Sequence, residues 1–116
     1  MKKAKKKKVK PTFKVYCTFF PDNTYYIGFS SKMHDAYERY FGSNAEILKM
    51  VKEGNHSLKK QTIGEYEKRA HARAVEAVLQ WENRLDPRMR NRMWNVRIRL
   101  DHLTGLVIPK WKPTLE

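Results

Sequence analysis

Residues 14–30 read KVYCTFFPDNTYYIGFS. The first part alternates, with Phe13, Val15, Cys17 and Phe19 on one side of an extended chain and Lys14, Tyr16, Thr18 and Phe20 on the other. Pro21-Asp22-Asn23-Thr24 is turn chemistry, and Tyr25 to Phe29 is a second β-prone run. A hairpin is expected. Its register controls what Tyr16 and Tyr26 can do together. They share a face only if cross-strand partners sum to an even number, as with Tyr16 opposite Gly28 and Thr18 opposite Tyr26. That requires an odd number of loop residues; an even loop puts the two rings on opposite faces.

Ahead of the hairpin, Met1 to Lys10 holds seven lysines and no acid. Such a run repels itself and buries almost nothing. Residues 1–11 are therefore expected to be a disordered arm, with Lys5, Lys6, Lys7 and Lys8 as sequence-independent phosphate contacts. The charge excess is not confined to the arm. The chain has 25 Lys and Arg against 12 Asp and Glu, a formal +13; without those seven lysines it is 18 against 12, still +6. A polyanion is the expected partner, nucleic acid first. The plainer alternatives are charge that serves solubility alone, or a place in an RNA particle. No apolar run approaches the ~20 residues that span a bilayer, and no apolar segment follows the lysines, so neither a membrane span nor a secretory signal is expected. Cys17, the single cysteine, excludes an intrachain disulfide and a multi-cysteine zinc site; a buried structural thiol is expected.

Beyond the hairpin, Ser30 to Phe41 is expected as a loop entering a short helix with Tyr37, Tyr40 and Phe41 as apolar positions. Asn44 to Lys52 is a second helix carrying Ile47, Leu48 and Val51, capped by Ser43 or Asn44 and ended by Gly54-Asn55. A third strand is expected around Gln61 to Tyr66. Lys68 to Leu85 is the strongest helix, stopped by Asp86-Pro87. Trp94 to Leu100 is a candidate further strand, and the tail from Thr104, with Gly105, Pro109 and Pro113, is expected to wrap on the surface. This order predicts an α/β (α+β) fold: a small three-stranded antiparallel sheet flanked by helices. The expected organisation is an arm over 1–11, one domain over 12–100 and an extension over 101–116.

Val15-Tyr16, ten residues ahead of Tyr25-Tyr26-Ile27-Gly28, resembles the GIY-YIG nuclease family, which includes phage homing endonucleases and the amino-terminal nuclease domain of bacterial excision repair. The resemblance covers about Phe13 to Val96. It implies a three-stranded sheet flanked by helices, and a Mg2+ (or Mn2+)-dependent endonuclease that hydrolyses phosphodiester bonds in DNA. Tyr16 matches the first-motif tyrosine, with Lys14 where the family usually has Gly; Tyr26 and Gly28 match the second motif. DAYERYFGSN, residues 35–44, resembles the end of the first helix in phage members. The family's helix arginine usually falls where Ala36 and Tyr37 stand here, and Arg39, one turn on, is the nearest substitute. Glu82-Asn83-Arg84-Leu85 resembles the motif of the metal-binding glutamate, and Asn95 fits the asparagine that follows it. At 100° per residue Glu82 also falls among Val75, Val78, Leu79 and Leu85, whereas Glu76 falls at the edge of that face. A carboxylate there needs a partner, either a metal ion or a core Arg or His. Glu82 is therefore the expected metal ligand and Glu76 the fallback.

By resemblance Tyr16 orients the attacking water or acts as general base, Tyr26 positions the water or the phosphate, and Arg39 stabilises the scissile phosphate. One carboxylate and several waters suffice to hold Mg2+. His56 is the histidine best placed to assist the leaving group, ahead of His34; His71 and His102 carry no signal. Arg84, Arg88, Arg90, Arg92, Arg97 and Arg99, interleaved with Met89, Met93 and Trp94, form a basic patch suited to phosphate contact and base stacking, with Arg88, Arg90, Arg92 and Arg97 the candidate nucleic-acid contacts. A solvated helix end is the alternative for that patch. Three readings follow. The first is an endonuclease on DNA, branched or supercoiled DNA included, acting as a monomer or DNA-induced dimer in the cytoplasm of a prokaryotic or phage-infected cell. The second is a binding protein that keeps the fold without cleavage. The third is a basic protein of an RNA particle.

Overall fold

A computed structural model of the chain describes residues 12–54, 57–91 and 105–114. The element order is β1 (Phe13–Phe19), β2 (Tyr25–Ser30), α1 (His34–Glu38), α2 (Ala45–Lys52), β3 (Lys59–Tyr66) and α3 (Arg69–Glu82). Among the described residues the fold is α+β: one antiparallel sheet of three strands in the order β2-β1-β3, with three helices. No helix among the described residues is long and apolar enough to cross a membrane.

The hairpin loop runs from Phe20 to Thr24, an odd number of residues, and the register pairs Tyr16 with Gly28 and Thr18 with Tyr26. Local chemistry holds that loop. The Asp22 carboxylate accepts from the Thr24 backbone N–H at 3.1 Å and from its hydroxyl, Asn23 takes a positive φ of 69°, and Phe20 N–H donates to the Thr24 carbonyl at 2.8 Å. An Asx-type turn of this kind suits Asp and Asn because their side chains replace a main-chain partner. β1 lies in the middle, so every residue from Lys14 to Phe19 is buried, on both faces.

One face of the sheet packs on α3. Val15, Cys17, Phe19, Tyr25 and Ile27 meet Ala72, Val75 and Leu79 in a continuous apolar core. Cys17 is fully buried there, the structural thiol expected. The C-terminal segment adds Leu106, Ile108 and Trp111 to that core. Trp111 packs edge-on against Tyr25 and donates from its indole to Gln61 at 2.9 Å. The opposite face carries Tyr16, Thr18 and Phe20, and packs on α1 and α2 through Tyr37, Tyr40, Phe41 and Ile47. Asn44 caps α2, accepting from Glu46 N–H and Ile47 N–H, a contribution of about 1 kcal/mol.

α3 differs from the expected helix in a way that matters. It ends at Glu82, with Asn83 as C-cap, rather than at Leu85. Leu85 is 84% exposed and forms no part of the apolar face. The buried stripe is instead centred on Ala72, Val75 and Leu79, with Ala74 and Ala77 beside it. Small alanines weigh little in a hydropathy pattern but bring the helix close to the sheet. Glu82 is exposed, which corrects the expectation that it sits within the apolar face. The candidate strand Trp94 to Leu100 lies outside the described residues, as do the arm lysines.

Candidate active site

Tyr16 stands at the centre of β1 with 1% of its surface exposed. Its ring lies directly over Gly28, where a Cβ would come within 2.5 Å of the ring carbon Cζ and of the hydroxyl. Glycine at this position is therefore a steric requirement of the tyrosine opposite it. Tyr37 and Tyr40 meet the same ring edge-on at 6.2 and 6.0 Å, an arrangement favoured by the ring quadrupoles. Gly42, at φ +133°, passes close to the Tyr16 hydroxyl and the Tyr26 ring. Tyr26 shares the face and is half-buried.

α3 runs antiparallel to β2 along its free edge. Gln80 donates to the Ile27 carbonyl at 3.1 Å. Asn91 accepts from Ile27 N–H at 2.9 Å and donates to the Ile27 carbonyl at 2.8 Å. One turn before Gln80, Glu76 accepts from the Gln80 amide at 3.4 Å and pairs with Arg73 at 3.7 Å. Burial raises the Glu76 carboxyl above the ordinary range, against the opposing pull of Arg73 and Gln80. Its charge reaches both tyrosines. Tyr26 is raised first by burial, then by Glu76 and Tyr40. Tyr16 is raised first by burial, then by Tyr40, Tyr26, its hydrogen bond with Tyr40 and the more distant Glu76. Both phenols are therefore neutral donors at physiological pH. A general-base role for Tyr16 needs a metal ion or an arginine to lower its pKa, and among the described residues its surroundings raise it, chiefly through burial.

Three lysines lie against the tyrosines of this face. Lys60 lies 3.6 Å from the Tyr37 ring centroid and donates to the Tyr37 and Tyr40 carbonyls, closing the C-terminal end of α1. Burial lowers its pKa. Lys32 lies over the Tyr40 ring and Lys14 over the Tyr37 ring. Arg39 is the C-cap of α1 and is exposed; its side chain makes no hydrogen bond or ion pair among the described residues.

The remaining expected residues scatter. Glu82 lines a groove of 610 Å3 between the end of α3 and the C-terminal segment, with Asn83, Asp86, Trp111 and Lys112, away from the tyrosines. Arg88 pairs with Asp86 at 3.0 Å. Asp86 accepts from the Tyr25 hydroxyl at 2.8 Å, and its pKa falls to about 2, chiefly through Arg88. Arg90 bonds Thr24, Asp22 and Glu46 and lies 3.9 Å from the Phe20 ring centroid, tying the hairpin turn to α2. Arg88 and Arg90 are thus each paired with acidic side chains while remaining partly exposed. His34 begins α1 at a φ of 52° and is exposed. His56, Asn95, Arg92, Arg97 and Lys5 to Lys8 lie outside the described residues.

Sequence reasoning missed Gln80, Asn91 and the position of Tyr40. Gln80 was visible as the i+4 neighbour of Glu76 on one helix face. Asn91 was hidden in an arginine run where charge drew attention. Among the described residues no three His, Cys, Asp or Glu side chains converge as a metal cluster. Comparison of the chain with protein-family models, curated proteins and solved structures gives no match.

Proposed function

We propose that the chain is a divalent-metal-dependent endonuclease of the GIY-YIG kind, hydrolysing phosphodiester bonds in DNA within a prokaryotic or phage-infected cell. The observation that carries this reading is the shared face of Tyr16 and Tyr26, with Gly28 kept bare for the Tyr16 ring, and Glu76 on α3, whose partner Gln80 is bonded to Ile27 next to Tyr26. The three-stranded antiparallel sheet and the long helix carrying the glutamate support the family resemblance. Glu76 suits a hard dication: it is a largely buried carboxylate, strained by its burial, whose described partners are one amide and one guanidinium. Mg2+ asks for one or two carboxylates and completes its shell with water and phosphate oxygens. When bound, such an ion supplies Lewis acidity at the phosphate.

The chain's own groups do the rest. Gln80 anchors the Glu76 carboxylate while its amide is tied to Ile27. Tyr26, neutral and half-buried, donates a hydrogen bond from its phenol to a water or a phosphate oxygen. Tyr16, with 1% of its surface exposed, packs edge-on against Tyr40 and holds that ring in place. The test is nicking of supercoiled plasmid with Mg2+ or with EDTA, by the wild type, Glu76→Gln, Tyr26→Phe and Glu82→Gln. The expected result is Mg2+-dependent relaxation, reduced about 10²–10³-fold by Glu76→Gln and unchanged by Glu82→Gln. The reverse pattern would move the carboxylate role to Glu82.

A second reading is a DNA-binding protein without cleavage. The 1% exposure of Tyr16 and the absence of an α1 arginine in contact with the tyrosines, among the described residues, favour it. Tight, salt-sensitive binding with no nicking of plasmid or branched DNA selects it.

A further inference from the structure

A group of side chains beside Glu76 is not used by the roles assigned above. Arg69 and Arg73 both sit over the ring of Phe29, at 5.4 and 5.3 Å from its centroid. Phe29 follows Gly28 in β2 and is itself stacked on Phe13 at 6.0 Å with an interplanar angle of 8°, so the ring is a fixed platform. At 100° per residue, Arg69, Arg73 and Gln80 lie within about 60° of Glu76 around α3. The stripe Arg69, Arg73, Glu76, Gln80 therefore follows the edge of β2 from Phe29 to Ile27.

Two guanidinium groups on one ring repel each other, and the charge is not balanced locally. Arg73 reaches Glu76 only through Nε, at 3.7 Å, with 47% of its side chain exposed. Arg69 is exposed and has no acidic partner among the described residues. Stacking on an aromatic face presets the planar fork of an arginine, which lowers the entropy lost when it binds an oxyanion. An arginine fork matches two oxygens of a phosphate in a way that the lysines on the other face do not.

We propose that Arg69 and Arg73, propped on Phe29, form a phosphate-binding fork that holds the nucleic-acid backbone beside Glu76. This rests on the nucleic-acid reading of the site. It supplies from α3 the guanidinium charge that α1 lacks, and it sets the strand's path along the β2 edge from Phe29 toward Tyr26. Arg73 exchanges its weak contact with Glu76 for a phosphodiester oxygen, leaving that carboxylate exposed to the substrate side.

The test is binding without cleavage. Fluorescence anisotropy of a labelled duplex of about 20 base pairs is followed in EDTA from about 50 to 200 mM salt, for the wild type, Arg69→Ala, Arg73→Ala, Arg73→Lys and Lys49→Ala. Each α3 alanine variant is expected to weaken binding about tenfold and to lower the salt slope by about one. Arg73→Lys should fall between, since it keeps the charge and loses the fork, and Lys49→Ala, on the exposed side of α2, should stay within about twofold of wild type. Thermal melts of the same proteins show whether any loss is unfolding; Arg73→Lys then carries the test alone. Wild-type affinity and slope in both alanine variants would overturn the fork, as would a wild type that binds no DNA. Weakened binding in a protein that never nicks plasmid would uphold the fork while removing the nuclease reading. Nicking by alanine variants that bind normally would do the opposite.

Discussion

The two faces of the sheet are made by the same strands and held by different forces. Toward α3 the contacts are dry and aliphatic: Val15, Cys17 and Ile27 against Ala72, Val75 and Leu79, each fully buried. Toward α1 and α2 the contacts are phenol edges, hydroxyl pairs and lysine–ring contacts, such as Tyr37 with Thr62 at 2.6 Å and Lys60 on Tyr37. The first face draws its stability from area removed from water. The second keeps polar groups partly buried and must satisfy each of them, which is costlier to build and gives chemistry in return. Glu76 lies at the edge where the two faces meet.

The sharpest way to break this contrast is to cut a cavity in one face and overfill the other. Leu79→Ala should remove about 2–5 kcal/mol of unfolding free energy, read by urea denaturation, with the tyrosine side left intact. Gly28→Ala should cost about 1–3 kcal/mol, because the new methyl meets the Tyr16 ring and Tyr37, Tyr40 and Gly42 leave that ring no room to retreat. It should also abolish nicking while the α3 face stays folded. Equal loss of stability with full nicking activity would show that the tyrosine face tolerates repacking.

A smaller effect separates the edge from both faces. Glu76 has its folded-state pKa raised by burial, so its contribution is most favourable at low pH and is lost as pH rises through the folded value. Glu76→Gln should therefore stabilise the protein at pH 7, by about 0.5–2 kcal/mol, while the gain disappears below the ordinary carboxylate range near pH 4. Melting curves at the two pH values read it. A destabilised variant at pH 7 would mean that the Arg73 pair outweighs burial.

Much of this architecture was readable in the sequence because local signals agreed. Strand alternation and the Pro21–Thr24 turn signal predicted the hairpin, and Asn44 announced α2; the register, open between an odd and an even loop in the sequence, is fixed by the five loop residues of the structure. The site was less readable. The apolar pattern of 68–85 points to Glu82 because Leu85 extends the periodicity and alanines contribute little to a hydropathy pattern. The helix stops three residues earlier, and its buried line shifts toward Glu76. Arg88 and Arg90 could not be told from solvent-facing cations, since Asp86, Asp22 and Glu46 reach them only through the fold.

The hydrogen bonds that Gln80 and Asn91 make to Ile27 have a consequence for association between chains. A three-stranded sheet has two open borders, each a template on which a foreign strand can zip. The β2 border is closed twice: side-chain amides occupy Ile27, and the main chain of Arg88 and Arg90 occupies Tyr25. Among the described residues the border left more open to strand-by-strand stacking is β3, where Lys59, Lys60 and Glu65 break up any smooth apolar ribbon. The amides that brace the glutamate's helix thus also keep the molecule from polymerising through its most aromatic strand.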